Sequence, residues 1–90
     1  MSAQVRFQPT PNPNAGKFTL DRKVVEGKAS KSFYGAAQAE ADPIASALFR
    51  LGGVASVFMV DDFVTVTKTA EADWSELVPA VIQVLETSGA

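Results

Sequence analysis

The sequence predicts an α+β fold, a two-layer α/β domain in which a small mixed, largely antiparallel sheet is covered on one face by two main helices. Two segments, Val54-Ala55-Ser56-Val57-Phe58-Met59-Val60 and Phe63-Val64-Thr65-Val66-Thr67-Lys68, flank the dipeptide Asp61-Asp62 and read as a β-hairpin. Two amphipathic stretches, one opening at Asp42-Pro43 and one at Asp73, carry helix-start chemistry. Short alternating segments near the N-terminus add further strands. With 90 residues, the chain is expected to be one domain, 1–90, with a single core.

In chain order, Val5-Arg6-Phe7-Gln8 alternates with period two, which predicts a strand with Val5 and Phe7 on its buried face. Thr10-Pro11-Asn12-Pro13-Asn14 ends it. The prolines fix φ and remove donors, and the asparagines bond back onto the chain, so an ordered loop is expected there. Alternation resumes at Lys17-Phe18-Thr19-Leu20. Lys23-Val24-Val25 before Gly27, and Lys31-Ser32-Phe33-Tyr34, suggest further short strands. The segment Ala36–Ala41 favours helix by propensity but has no apolar stripe, and reads as a lead-in.

Asp42 can cap free amides, and Pro43 suits the first helical position, where a missing N–H costs nothing. Ile44, Ala45, Leu48 and Leu51 then form an apolar face, and Gly52-Gly53 supplies a left-handed exit. In the hairpin, pairing Val60 with Phe63 puts Ala55, Val57, Met59, Val64 and Val66 on the core side with Lys68 at its end. Ser56, Phe58, Val60, Phe63, Thr65 and Thr67 fall on the other side. The last helix opens at Asp73 with Glu76 three positions on, and Trp74, Leu77, Val78, Val81, Ile82 and Leu85 repeat at three and four. Pro79 is expected to distort it or shift its start.

Composition excludes several classes of chemistry. There is no cysteine and no histidine, so thiol and imidazole catalysis, soft-metal ligation and a Ser-His-Asp triad are ruled out for these residues. Asp61 and Asp62 are turn formers rather than a calcium site, which needs more oxygen ligands at set spacing. Gly16-Lys17 lacks the upstream glycine and following hydroxyl of a phosphate loop. No enzyme activity and no cofactor are expected.

Net charge is −2 but unevenly spread, with six cations against two acids in residues 1–35 and two cations against eight acids in 36–90. The basic half lacks the cation density and interleaved aromatics of a nucleic-acid surface, so no nucleic-acid partner is expected. Nor is a membrane expected, because the long apolar run of a span is missing. Met1–Arg6 has neither a signal core nor a transit-like character, and the expected location is cytoplasmic.

Binding to another protein is the remaining class, and two surfaces are candidates. One is the polar loop with Thr10, Asn12, Asn14 and Lys17. The other is the hairpin face with Phe58, Phe63, Thr65 and Thr67. Two helices cover only one side of a small sheet, so the hairpin aromatics are either shielded by the N-terminal segment or left exposed.

Taken together, Thr10-Pro11-Asn12-Pro13-Asn14-Ala15-Gly16-Lys17-Phe18, Asp42-Pro43-Ile44-Ala45, Leu48-Phe49-Arg50-Leu51-Gly52-Gly53-Val54, Val57-Phe58 and Asp62-Phe63-Val64-Thr65-Val66-Thr67-Lys68, followed by Trp74 and Pro79, form an ordered series. The chain thereby resembles the N-terminal domain of the Nfu/NifU-like iron-sulfur scaffold proteins over nearly its whole length, residues 21–41 contributing little. The resemblance implies a role in iron-sulfur cluster assembly or delivery, with a scaffold, carrier or client apoprotein as partner. It also implies that the cluster ligands lie in a separate Cys-x-x-Cys module, so no ligand role passes to any residue here. On this reading the chain is a freestanding, non-catalytic adaptor; the alternative is a small-molecule or regulatory binding domain. Gly16 stands where the family usually has a larger apolar residue, and Asp42 where it usually has serine.

Overall fold

The computed structural model describes residues 4–21, 24, 25 and 30–87. Five strands, β1 (Val5–Pro9), β2 (Ala15–Leu20), β3 (Ser30–Phe33), β4 (Val54–Val60) and β5 (Phe63–Lys68), form one sheet in the order β1-β2-β5-β4-β3. All four pairings are antiparallel. Three helices complete the described chain, α1 (Ala36–Ala39), α2 (Pro43–Arg50) and α3 (Trp74–Thr87). The two-layer α+β architecture read from the sequence is the one found.

The core lies between one sheet face and the helices. Phe18 and Leu20 of β2, Val57 and Met59 of β4, Val64 and Val66 of β5 and Phe33 of β3 meet Ala45 and Leu48 of α2 and Leu77, Val81 and Leu85 of α3. Burying such side chains is worth roughly 1.5–3 kcal/mol each against leaving them in water, which makes this face the main stabilising contact of the domain. Val5 and Phe7 pack at its edge, half-buried, on the side the alternation assigned them.

Helix starts follow their expected chemistry. The Asp42 carboxylate accepts from the Ile44 and Ala45 amides at 2.9 and 3.1 Å, and also takes the Lys31 ammonium at 3.3 Å. Asp42 is only 7% exposed, and these three donors account for its burial. The α2 exit runs through Gly52 and Gly53 at φ 77 and 75°, a region open to glycine without a Cβ clash. At α3, Asp73 accepts from the Ser75 amide at 2.9 Å. That bond is the main reason its carboxyl titrates below the ordinary aspartate value, with Lys68 adding a smaller attraction. Pro79 lies inside α3 and does not move the start away from Trp74.

Several local expectations are corrected. Ala55 is exposed and Val54 buried, because a bulge between Val54 and Ser56 places two residues of β4 against one of β5, so the alternation slips at Ala55. Leu51 is the α2 cap residue and is 37% exposed rather than part of its buried face. Val24 and Val25 form a bend, not a strand; their amides bond the Asp61 carbonyl at 2.7 and 3.3 Å. Lys23, the first residue of that expected strand, and Gly27 after it lie outside the described residues. The Lys31–Tyr34 strand begins at Ser30 and ends at Phe33, leaving Tyr34 exposed. The lead-in contains a single helical turn, α1, whose buried residue is Ala39.

Candidate functional site

Strand register decides what the second sheet face carries. Lys17 pairs with Gln8 on one side and Thr65 on the other, and Thr65 pairs with Phe58, which pairs with Ser32. A parallel row runs Arg6, Thr19, Phe63, Val60, Ser30. Alternation puts all these side chains opposite the core-facing Phe18, Val64 and Met59. Among the described residues, no helix or strand lies over this face. Val5–Pro9 joins the sheet edge as β1 and does not cover the hairpin.

Phe58 is 37% exposed, and Phe63 is half-buried beside it with ring centroids 6.4 Å apart and planes tilted by 52°. The Lys17 ammonium sits 4.4 Å from the Phe63 ring centroid, a cation–π geometry in which the aliphatic stem also covers the sheet. Lys17 therefore joins Phe58, Phe63 and Thr65 in one patch rather than belonging to the polar loop with which its sequence position grouped it. Thr67, opposite Ala15 on β2 and Ser56 on β4, continues the face toward that loop.

The loop between β1 and β2 uses its polar groups internally. The Thr10 hydroxyl lies 3.0 Å from both the Asn12 and the Ala15 carbonyl oxygens, and accepts from the Asn12 amide at 3.2 Å. Asn12 Oδ1 accepts from the Asn14 amide at 2.9 Å. Asn14 Oδ1 accepts from Lys68 Nζ at 3.2 Å, and Trp74 Nε1 donates to the Pro13 carbonyl at 2.9 Å. Bonds from β5 and α3 thus hold Asn14 and Pro13, and the loop forms a fixed rim at the Thr67 end of the open face. Arg6, Gln8, Thr19 and Ser32 share that face without having been singled out from the sequence, and Ser56 lies on it as the hairpin register expected. The signal was present for Arg6 and Gln8, whose alternation placed them opposite Val5 and Phe7, but assigning them to the hairpin patch requires the β1-β2-β5 order.

Neither Phe58 nor Phe63 lines any of three concavities, although the second reaches the open face through Arg6 and Thr19. The first, about 270 Å³, is bounded by Leu51, Gly52, Glu71, Asp73, Glu76 and Leu77 at the junction of α2 and α3. The second, about 250 Å³, is bounded by Gln4, Arg6, Thr19, Leu20 and Asp21 at the outer end of β1 and β2. The third lies between α1 and α2. An iron-sulfur cluster is held by thiolates, or by imidazoles in some centres, and these 90 residues supply neither. No group of three or more Asp and Glu residues that could hold a metal ion occurs among the described residues.

Comparison with known proteins matches residues 5–89 to the family model described as scaffold protein Nfu/NifU N terminal. The human NFU1 iron-sulfur cluster scaffold homolog, labelled mitochondrial, is 44% identical over 78 residues, covering 86% of this chain and 30% of that protein. The Arabidopsis thaliana NifU-like protein 5, also labelled mitochondrial, is 37% identical over 81 residues, covering 90% of this chain and 29% of that protein. The chain thus spans about three-tenths of the length of these curated relatives. Their mitochondrial labels differ from the cytoplasmic expectation drawn from the sequence; no helix among the described residues is long and apolar enough to cross a membrane. Among solved structures, a Staphylococcus aureus protein superposes with TM-score 0.78 at 31% identity, covering 96% of this chain and 100% of the other. A Saccharomyces cerevisiae NifU-like protein superposes with TM-score 0.81 at 25% identity, covering 94% and 76%.

Proposed function

The chain belongs to the Nfu/NifU N-terminal family, and on that premise we propose that it is a non-catalytic, protein-binding accessory domain in iron-sulfur cluster assembly or delivery. Its partner is a scaffold, carrier or client apoprotein, and the thiolates that hold the cluster come from outside these 90 residues. The observation that carries this reading is the open sheet face, where Phe58 and Phe63 form an aromatic pair flanked by Lys17, Thr65 and Thr67. An aromatic centre with a polar surround has the composition of a protein-binding hot spot. Thr10, Asn12 and Asn14 shape the rim of this surface. A small-molecule domain would need a concavity with converging polar groups centred on the hairpin; the one at Gln4, Arg6, Thr19 and Asp21 reaches the open face through Thr19, the partner of Phe63, but neither aromatic ring lines it.

The test is calorimetric titration of the purified chain with a purified cysteine-bearing scaffold of the same family, repeated with Phe58→Ala and Phe63→Ala. Truncating both rings should weaken binding by about 2 kcal/mol or more, roughly thirtyfold, while the far-ultraviolet spectrum stays that of a folded domain. Binding of unchanged affinity by the folded double variant would overturn the docking surface.

A further inference from the structure

The charge on the open face narrows the chemistry of what covers it. Lys17 and Arg6 both project from this face, and its strand residues include no carboxylate. Lys17 is engaged by the Phe63 ring, and neither cation has an ion-pair partner among the described residues, where Lys31 and Asp42 form the one salt bridge. Asp21, just past the end of β2, shares a concavity with Arg6 but makes no ion pair with it. Of the acids in the second half, Asp61 and Asp62 sit in the hairpin turn at the end of this face, and a separate group lies away from it. Glu71, Asp73 and Glu76 line the groove between α2 and α3, and the last turn of α3 has no basic residue.

We propose that the open face docks an acidic segment of the partner protein that also carries apolar side chains. Its carboxylates would meet Lys17 and Arg6, and its apolar groups would cover Phe58 and Phe63. This inference rests on the docking reading above and adds the sign of the partner's charge. A second copy in face-to-face contact is disfavoured, because two-fold pairing brings together two sets of strand residues that carry cations and no carboxylate. Nucleic acid is disfavoured as well, because two cations across five strands cannot track a phosphate backbone.

The test uses two short synthetic peptides of equal Phe and Leu content, one bearing Asp and Glu and the other Lys, each titrated into isotope-labelled protein and followed by amide shifts. The acidic peptide should move the Lys17, Phe58 and Thr65 amides, bind more weakly as salt rises, and lose about tenfold in affinity with Lys17→Glu plus Arg6→Glu. The charge-reversed protein should instead prefer the Lys peptide. Equal binding of both peptides by the native chain would overturn the proposal, as would tighter binding of oligothymidylate run in parallel. So would sedimentation showing that the face is filled by self-association. Scaffold binding provides the separation from the underlying reading. If Phe58→Ala abolishes it while charge reversal and salt leave it unchanged, docking stands and the acidic partner fails; if none of these changes matters, docking itself fails.

Discussion

Gly16→Ala should destabilise the domain by overcrowding an aromatic cluster. Gly16 is buried on the core face of β2, between Pro9 of β1 and Val66 of β5. A Cβ there would stand 2.5 Å from Phe7 Cε1, 3.3 Å from Phe7 Cζ and 3.2 Å from Trp74 Cη2. Ordinary carbon contacts lie near 3.5–4.0 Å, so the Phe7 ring must move by about 1 Å. That ring lies 5.1 Å from Phe18 and 5.6 Å from Trp74, and aromatic pairs are worth about 0.5–1.5 kcal/mol beyond their burial. Overpacking of this kind costs about 1–3 kcal/mol, and the reduced freedom of the unfolded chain returns about 0.4–1 kcal/mol. The net loss is centred on about 1.3 kcal/mol, or a fall in Tm of roughly 5–10 °C for a domain of this size. Thermal unfolding measures it, and the emission of Trp74, the single tryptophan, should shift as Phe7 moves. Combining Gly16→Ala with Phe7→Leu should recover part of the loss. A Gly16→Ala protein as stable as the parent, with unchanged emission, would refute the reasoning. The same contacts explain how glycine is accommodated where the family resemblance leads one to expect a larger apolar residue, since Phe7 and Trp74 fill the space.

Two further predictions concern the turn and the α3 cap. Asp61 holds φ 53° in the hairpin turn while its carbonyl accepts from Val24 and Val25. Asp61→Val should therefore lose about 1–2 kcal/mol in urea unfolding and Asp61→Gly should lose little or nothing, whereas equal losses would show that backbone handedness is not the constraint. Asp73 titrates below its ordinary value of 3.8 because the folded state, chiefly through the Ser75 amide, favours the carboxylate. Its contribution is thus complete above the unfolded value and lost as pH falls through the lower folded one. The stability advantage of the native chain over Asp73→Asn should shrink on acidification through this range, and an advantage independent of pH would contradict the assignment.

Local chemistry made much of this fold legible. Alternation and a two-residue turn were enough to pair Val60 with Phe63, and Asp42-Pro43 and Asp73 marked both long helices because capping depends on neighbours within one turn. Long-range contacts decided what was missed. Nothing local distinguishes Ala55 as a bulge residue, and Val24-Val25 has the composition of a strand but spends its amides on the Asp61 carbonyl. The candidate surface divides in the same way. Phe58, Phe63, Thr65 and Thr67 could be grouped because one hairpin carries them, whereas moving Lys17 from the loop to that patch required the β2–β5 pairing across 48 positions of sequence, as between Lys17 and Thr65.

Amide-shift mapping of the isotope-labelled chain, titrated with a cysteine-bearing scaffold of the same family, tests most directly whether this domain recognises its partner through the open sheet face. The predicted result is a contiguous set of shifts on β2, β5 and β4 that includes Lys17, Thr65 and Phe58, with α3 little affected. Shifts confined to the groove around Glu71, Glu76 and Leu51, or no shifts at saturating scaffold, would contradict it.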